Sequence, residues 1–170
     1  HWVIGLENLR QALGKDYLSK AARAFAKAVE ADPAFADATV DLARAALGQR
    51  IGPRLDLALS AVRAAALSPA GREPPLQLAR GRVERAVGSP DSALAAFQAY
   101  LAVGGDSGLG LLELARTHYF AHQPAAGLRA YYMGARASTA PAAALYRSDL
   151  AWIATPAELA AFDTLPSGPA

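Results

Sequence analysis

Several features that often define a protein class are missing from this chain of 170 residues. It contains no cysteine, which excludes disulfides and thiolate metal sites but leaves the redox compartment open. It has no apolar run of about 18 residues, so no transmembrane helix is predicted. Runs of Val, Ile and Thr that favour strands are also missing, and alanine, the best helix former, makes up about a quarter of the chain. Composition alone therefore favours an all-helical fold.

The charge balance is weak. The formal net charge is +2, and the 14 arginines, against three lysines, are spread over several predicted helices. A nucleic-acid interface needs cations clustered along one face, so no nucleic-acid partner is predicted.

A tetrapeptide recurs at a fixed step of 36 residues. Asp41-Leu42-Ala43-Arg44 returns as Gln77-Leu78-Ala79-Arg80, then as Glu113-Leu114-Ala115-Arg116, and more weakly as Asp149-Leu150-Ala151-Trp152. A constant period of this size indicates a solenoid, in which each repeat is one supersecondary unit stacked on its neighbours.

A second series runs between these tetrapeptides, with the spacing i, i+4, i+7 that lies on one face of a helix. Each set places a larger side chain between smaller ones or beside them, so we expect each set to pack against a neighbouring helix. The four sets are Ala21, Phe25 and Ala28; Ala58, Val62 and Ala65; Ala93, Phe97 and Tyr100; and Gly127, Tyr131 and Gly134.

Glycine and proline separate the helices, for example at Gly14, at Gly52-Pro53 and at Gly104-Gly105. The predicted helices lie near 2–13, 16–31, 34–48, 53–67, 73–87, 91–103, 107–121, 124–137, 141–152 and 156–164. They make one repeat domain over 1–165, with repeats at about 1–33, 34–70, 71–106 and 107–140 and a partial repeat at 141–165. Residues 166–170 are predicted to be a linker or tail.

The last helix has a capping signature. Thr155-Pro156-Ala157-Glu158 matches the capping box, with proline at the first helical position. Leu159, Phe162 and Leu165 are spaced to cover the apolar end of the stack, which terminal repeats require.

The pattern small-x3-aromatic-x2-small followed by proline resembles the tetratricopeptide repeat (TPR). The best copy is Ala21, Phe25, Ala28 and Pro33, and the family's early tryptophan is absent from every copy. The resemblance implies a right-handed α-solenoid of four hairpins, a fifth partial repeat and a short capping helix. It also implies that the first helices of the pairs line a concave groove for a peptide or a partner's helix.

The segment from Tyr146 to Leu159 is similar to the one that leads into the GWxTD domain of certain bacterial repeat proteins, although the naming motif is absent. That resemblance implies a bacterial protein, and a periplasmic or secreted location is favoured over the cytoplasm.

The groove positions carry a candidate binding site. On the register of the fourth repeat they include Asp41, Arg44, Arg80, Glu113, Arg116 and Tyr119. A ladder of Arg44, Arg80 and Arg116 would suit acidic or C-terminal carboxylates, because guanidinium forks match carboxylates. Alternatively, each arginine forms an ordinary solvent-exposed ion pair with an acid three residues before it, as Arg44 would with Asp41 and Arg116 with Glu113. Both interpretations stay open from sequence alone.

Two other motifs are better explained without a ligand. His118 and His122 have the i, i+4 spacing of a metal pair but lack further ligands, so no metal is predicted. The glycine-rich segment 104–110 lacks the lysine of a phosphate-binding loop, and Asp106 or Ser107 as a helix N-cap accounts for it.

No nucleophile and base occur in a recognisable arrangement, so neither catalysis nor a cofactor is predicted. The leading hypothesis is a non-catalytic scaffold that binds a peptide or protein in the groove. The alternative is a permanent structural or accessory subunit of a larger bacterial assembly. The oligomeric state stays open.

Overall fold

The predicted all-α class is confirmed. The computed structural model describes residues 1–10, 17–49, 54–137 and 139–164, and within these ranges no β-strand occurs. The α-helices in these ranges are α1 (Trp2–Arg10), α2 (Tyr17–Ala31), α3 (Ala36–Leu47), α4 (Leu55–Ala66), α5 (Pro74–Val87), α6 (Pro90–Ala102), α7 (Ser107–Phe120), α8 (Pro124–Arg136), α9 (Ala140–Leu150) and α10 (Pro156–Asp163). Not one of these helices combines the length and apolarity needed to cross a lipid bilayer.

Local chemistry explains where the helices begin. Proline occupies the first turn of α5, α6, α8, α9 and α10, where it loses no helical hydrogen bond. Ser89 caps α6 by accepting the backbone N–H of Ser92 at 3.1 Å. A short 3-10 helix, Pro69–Arg72, precedes α5 and was not predicted. The predicted breakers Gly14 and Gly52-Pro53, together with Leu165 and the tail 166–170, lie outside the described residues.

Backbone contacts divide the chain into two compact units, His1–Val103 (unit 1) and Gly104–Ala170 (unit 2). In unit 1, helices α1 to α6 pack in chain order, and the first helices α3 and α5 also contact each other. In unit 2, α7 and α8 form a hairpin, α9 packs against α7, and α10 packs against α9. The predicted repeat domain over 1–165 stays a prediction.

The second residue series forms the buried faces of the second helices. In α2, α4 and α6 all nine of its members are buried, and Phe25, Val62 and Phe97 have no exposed surface. In α8, Gly127 and Gly134 are buried while Tyr131 is half-buried. The i, i+4, i+7 pattern therefore identified the packing face of each second helix.

Two large aromatics of unit 1, Phe25 and Phe97, each pack against a glycine. A Cβ atom at Gly81 of α5 would overlap the Phe97 ring of α6, and a Cβ at Gly5 of α1 would overlap the Phe25 ring of α2. Gly81 shares its 36-residue register with buried Ala45 and buried Thr117. This third periodic series was not predicted, although its spacing and small residues were visible in the sequence.

Tyr146 of α9 fills the interior of unit 2. Its side chain is fully buried, its hydroxyl donates to the Gly108 carbonyl at 3.1 Å, and its ring meets Tyr131 edge-on at 4.8 Å. Burial raises the pKa of the Tyr146 hydroxyl well above its ordinary value. Adjacent residues of a helix point in different directions, and accordingly Tyr131 is half-buried while Tyr132 is exposed.

The predicted capping box of α10 is present. Thr155 accepts the backbone N–H of Glu158 at 3.3 Å, and the Glu158 carboxylate accepts the backbone N–H of Thr155 at 2.7 Å. The hydrogen bonds that the Glu158 carboxylate accepts from the backbone N–H and the hydroxyl of Thr155 lower the pKa of Glu158. Leu159 and Phe162 are half-buried, and no α10 residue is fully buried, so the helix covers α9 only in part.

Phe162→Asp is expected to destabilise unit 2 by about 1 kcal/mol, since a half-buried aromatic loses its contacts and a charge enters an apolar site. Thermal unfolding followed by circular dichroism measures the change. Ala160→Asp is the matched control, because Ala160 is exposed on the same helix. Equal melting temperatures for the two variants would show that Phe162 has no covering role.

Candidate functional site

The recurring tetrapeptide lies on the first helices α3, α5 and α7 and spans the end of α9, and its first residue faces inward. Asp41, Gln77 and Glu113 are 7%, 4% and 1% exposed, while Asp149 is half-buried. A buried polar side chain is stable only when it has partners. The contacts at this position therefore show which of the nearby arginines are engaged within the protein.

Asp41 is held by two donors. Trp2 of α1 donates its indole N–H to Asp41 Oδ2 at 3.0 Å, and Arg44 donates to Asp41 Oδ1 at 3.0 Å. The Trp2 ring also lies against Phe35, with 5.3 Å between centroids. The Arg44 side chain remains 65% exposed, so this i, i+3 pair leaves most of its guanidinium accessible.

Arg116 is engaged across repeats of unit 2. Its guanidinium forms a bidentate pair with Asp149, at 2.9 Å and 2.7 Å, and lies 3.8 Å from Glu113. Desolvation lowers the pKa of Arg116, but the hydrogen bonds that it donates to Asp149 and the nearby negative charges outweigh desolvation, so the net shift is upward. The Asp149 partner was not predicted.

The second copy of the tetrapeptide breaks this pattern. Its first residue is Gln77, which donates Nε2 to the Gly71 carbonyl at 2.7 Å and cannot pair as an acid would. Its Oε1 is buried and accepts no hydrogen bond among the described residues. Asp41 and Asp149 each bind a donor from the preceding first helix, but the residue of α5 at the register position that would face Arg44 is the amide Gln77 rather than an acid. Arg44 therefore keeps its pairing capacity.

Arg80 lies three residues beyond Gln77 on α5. Its Nε is buried and forms no hydrogen bond with any residue that the structure describes. Buried polar atoms are nearly always satisfied, so each exception calls for an explanation such as a ligand or bound water. Arg44, Gln77 and Arg80 occupy two contacting first helices of unit 1 and together form what we call the amide–arginine cluster.

A further buried acid of α5, Glu84, is paired with a residue of α4. Its carboxylate is 1% exposed and forms a bidentate pair with Arg63 of α4, at 2.7 Å and 2.9 Å. The Arg63 hydrogen bond lowers the pKa of Glu84, opposed by burial and assisted by the charges of Arg63 and Arg80. The pair joins α4 to α5 and was not predicted.

Tyr119 of α7 is 45% exposed, and its ring packs beside Gly127 of α8, where an added Cβ would lie 3.1 Å from it. Its place among the predicted binding residues stays a prediction. Within the described ranges, no group of three or more His, Asp or Glu residues could hold a metal ion. The Nδ1 of His118 contacts Gln123 Oε1 at 2.8 Å, near the end of α7.

Asp106 caps α7, as one of the two N-cap assignments predicted. Its carboxylate accepts the backbone N–H of Leu109 at 2.7 Å and the Thr139 hydroxyl at 2.8 Å. Both carboxylate oxygens of Asp106 are therefore engaged within the protein. The segment 104–110 serves to begin α7, and its sequence needs no phosphate ligand to explain it.

Comparison with solved structures identifies the fold. The crystal structure of MamA, a protein that contains tetratricopeptide repeats, superposes with a TM-score of 0.63. The match covers 94% of this chain and 90% of MamA at 14% sequence identity. The fold is tetratricopeptide-like. Since the identity is so low, the likeness concerns fold alone.

No family model and no curated protein sequence matches the chain. The tetratricopeptide-like assignment therefore depends on the helical repeats and the structural match, while the GWxTD resemblance and the extracytoplasmic location stay predictions. The family's early tryptophan is missing, and Val62 stands where the best copy has Phe25, which is consistent with a sequence too divergent for a family model to match.

Proposed function

We propose that this tetratricopeptide-like chain is a non-catalytic protein-interaction scaffold, and that the amide–arginine cluster of unit 1 binds a carboxylate of its partner. A tetratricopeptide-like fold supports a protein-binding role in general. The observation that carries the finer proposal is the contrast between engaged Arg116 and the incompletely paired Arg44 and Arg80.

The chemistry of the cluster suits a carboxylate. Arg44 is largely exposed beyond its pair with Asp41, and the Nε–H of Arg80 is accepted by no described residue, so both guanidinium groups have hydrogen-bonding capacity left. Guanidinium groups bind carboxylates through paired, charge-assisted hydrogen bonds. Gln77, three residues before Arg80 on α5, adds no negative charge.

We expect Arg44→Ala and Arg80→Ala each to weaken binding of an acidic peptide about tenfold, which corresponds to about 1.4 kcal/mol. The probe is a fluorescein-labelled hexaglutamate with a free C-terminus, measured by fluorescence anisotropy at low and at physiological salt. Arg80→Lys keeps the charge but loses the fork, so it should recover only part of the affinity.

Arg116→Ala is the matched control. It should leave peptide affinity unchanged while lowering the stability of unit 2, because it leaves Asp149 without its bidentate partner. Equal affinities of the wild type, Arg44→Ala and Arg80→Ala would contradict the proposal. A loss confined to Arg116→Ala would place the carboxylate site in unit 2 instead.

One observation favours the alternative of a permanent structural subunit. Trp152 and Ile153, in the turn after α9, are 88% and 84% exposed. Large adjacent apolar side chains on a surface are typical of interfaces. In that case the isolated chain should self-associate at micromolar concentration, and Trp152→Ser should make it monomeric in analytical ultracentrifugation.

A further inference from the structure

A groove between α1 and α2 of unit 1 lies apart from the amide–arginine cluster. It is lined by Ile4, Asn8, Lys20, Arg23, Ala24 and Lys27, together with the first residue, His1. The other described helices that contact α1 and α2 are α3 and α4, and they pack on the sides that carry Trp2 and Phe25. We call this surface the α1–α2 groove.

The floor of the α1–α2 groove is apolar. Ile4 is 56% exposed although it is a large aliphatic side chain, and Ala24, near the middle of α2, lines the same groove. Asn8 turns its amide back to the Ile4 carbonyl at 2.8 Å, so it adds little unsatisfied polarity. Such a floor favours an apolar stripe on whatever binds there.

The wall of the groove is cationic. Lys20, Arg23 and Lys27 follow one another at spacings of three and four residues, so they project from the same side of α2, and all three are exposed. Like charges at these spacings destabilise a helix. No acidic residue lines the groove among the residues that the structure describes, and no described acid forms an ion pair with these three cations. Lys20 instead lies over the Tyr17 ring, 5.3 Å from its centroid.

We propose that the α1–α2 groove docks an acidic amphipathic helix of a partner protein. The groove between two packed helices accepts a third helix by the same ridge-and-groove geometry that unites the helices of unit 1. The apolar stripe of the incoming helix covers Ile4 and Ala24, and its flanking carboxylates neutralise Lys20, Arg23 and Lys27. Among the described residues that line the groove there is no Phe, Tyr or Trp on which bases could stack, and a nucleic acid would leave the apolar floor uncovered.

The test uses the whole chain and a synthetic peptide of about 15 residues, or roughly four helical turns. The peptide carries leucines along one stripe and glutamates on both sides, and its control is a scrambled peptide of the same composition. Binding is measured by fluorescence anisotropy. We expect micromolar affinity for the patterned peptide and at least tenfold weaker binding of the scrambled one.

Lys20→Glu/Lys27→Glu should weaken binding of the patterned peptide at least tenfold, and Ile4→Ser should weaken it severalfold. The matched control is Arg129→Glu/Arg136→Glu, which makes the same change in net charge at exposed positions of α8 and should leave affinity unchanged. Arg44→Ala should also have no effect, which separates this groove from the amide–arginine cluster. Circular dichroism of each variant confirms that its helices are intact.

Three results would overturn the proposal. The first is equal binding of the patterned and scrambled peptides, which would mean that the groove attracts negative charge but does not recognise the apolar stripe of a helix. The second is unchanged affinity in Lys20→Glu/Lys27→Glu, and the third is tighter binding of an oligothymidylate than of the patterned peptide, with the same dependence on Lys20 and Lys27.

Discussion

Phe97→Ala is expected to lower the free energy of unfolding of unit 1 by about 3–5 kcal/mol. The Phe97 ring has no exposed surface, lies in the space that a Cβ at Gly81 would fill, and has the Arg85 guanidinium 5.4 Å from its centroid. Removing the ring leaves a cavity where α5 and α6 meet, and Gly81 offers no side chain to fill it.

The chain has two tryptophans, which permits a specific measurement. In a Trp152→Phe background, Trp2 becomes the only tryptophan, and its fluorescence reports on unit 1, where it packs against Phe35. Urea titrations of this background and of its Phe97→Ala derivative give the difference in unfolding free energy. Gln98→Ala is the control, because Gln98 is exposed and next in sequence, and its effect should be within about 0.5 kcal/mol.

Overpacking the same contact provides the complementary test. Gly81→Val forces the helices apart and should cost about 1–3 kcal/mol, whereas Gly81→Ala combined with Phe97→Leu should be less destabilising than the sum of its single changes. Additive effects of the two substitutions would show that Gly81 and Phe97 are not packed together.

Glu84→Gln is expected to destabilise unit 1 by about 2 kcal/mol near neutral pH. The substitution removes the charge that Arg63 binds through two hydrogen bonds, and it leaves a buried amide with a mismatched donor group. Urea titration with Trp2 fluorescence measures the loss. The control is Asp56→Asn in the same unit, since the Arg54–Asp56 pair, 3.6 Å apart, has solvent-exposed side chains. We expect little change there, because exposed ion pairs contribute little.

The pH dependence distinguishes a charge effect from a change of shape. The Arg63 hydrogen bond lowers the pKa of Glu84 in the folded protein below its ordinary value of 4.5. A lowered pKa stabilises the folded state above the unfolded-state pKa, and this stabilisation is lost as the pH falls through the folded-state pKa. The difference between the wild type and Glu84→Gln should therefore be constant above about pH 5.5 and shrink as the pH falls below 4.5. A difference independent of pH would refute a role for the charge.

Much of the fold followed from the sequence because its causes are local. Proline and N-cap chemistry at Ser89, Asp106 and Thr155 act within one helical turn, so the helix starts were predictable to within about two residues. The periods of 36 and of i, i+4, i+7 identified the first helices and the buried faces of the second helices, since both periods are set by the geometry of a repeated hairpin. The 3-10 helix at Pro69–Arg72 was missed because it is only one turn long.

The partners of the buried polar groups were decided by tertiary packing. Trp2 and Asp41 are 39 residues apart, Arg116 and Asp149 are 33 apart, and Arg63 and Glu84 are 21 apart. Residue types and spacing predicted the i, i+3 pair of Arg44 with Asp41, but they could not show which donors reach across to a neighbouring helix. That depends on how closely the helices approach and how far each side chain extends. The sequence thus determined the repeated helices and the candidate arginines, and only the tertiary structure decided that Arg116 is bound by Asp149 while the Arg44 side chain stays largely exposed.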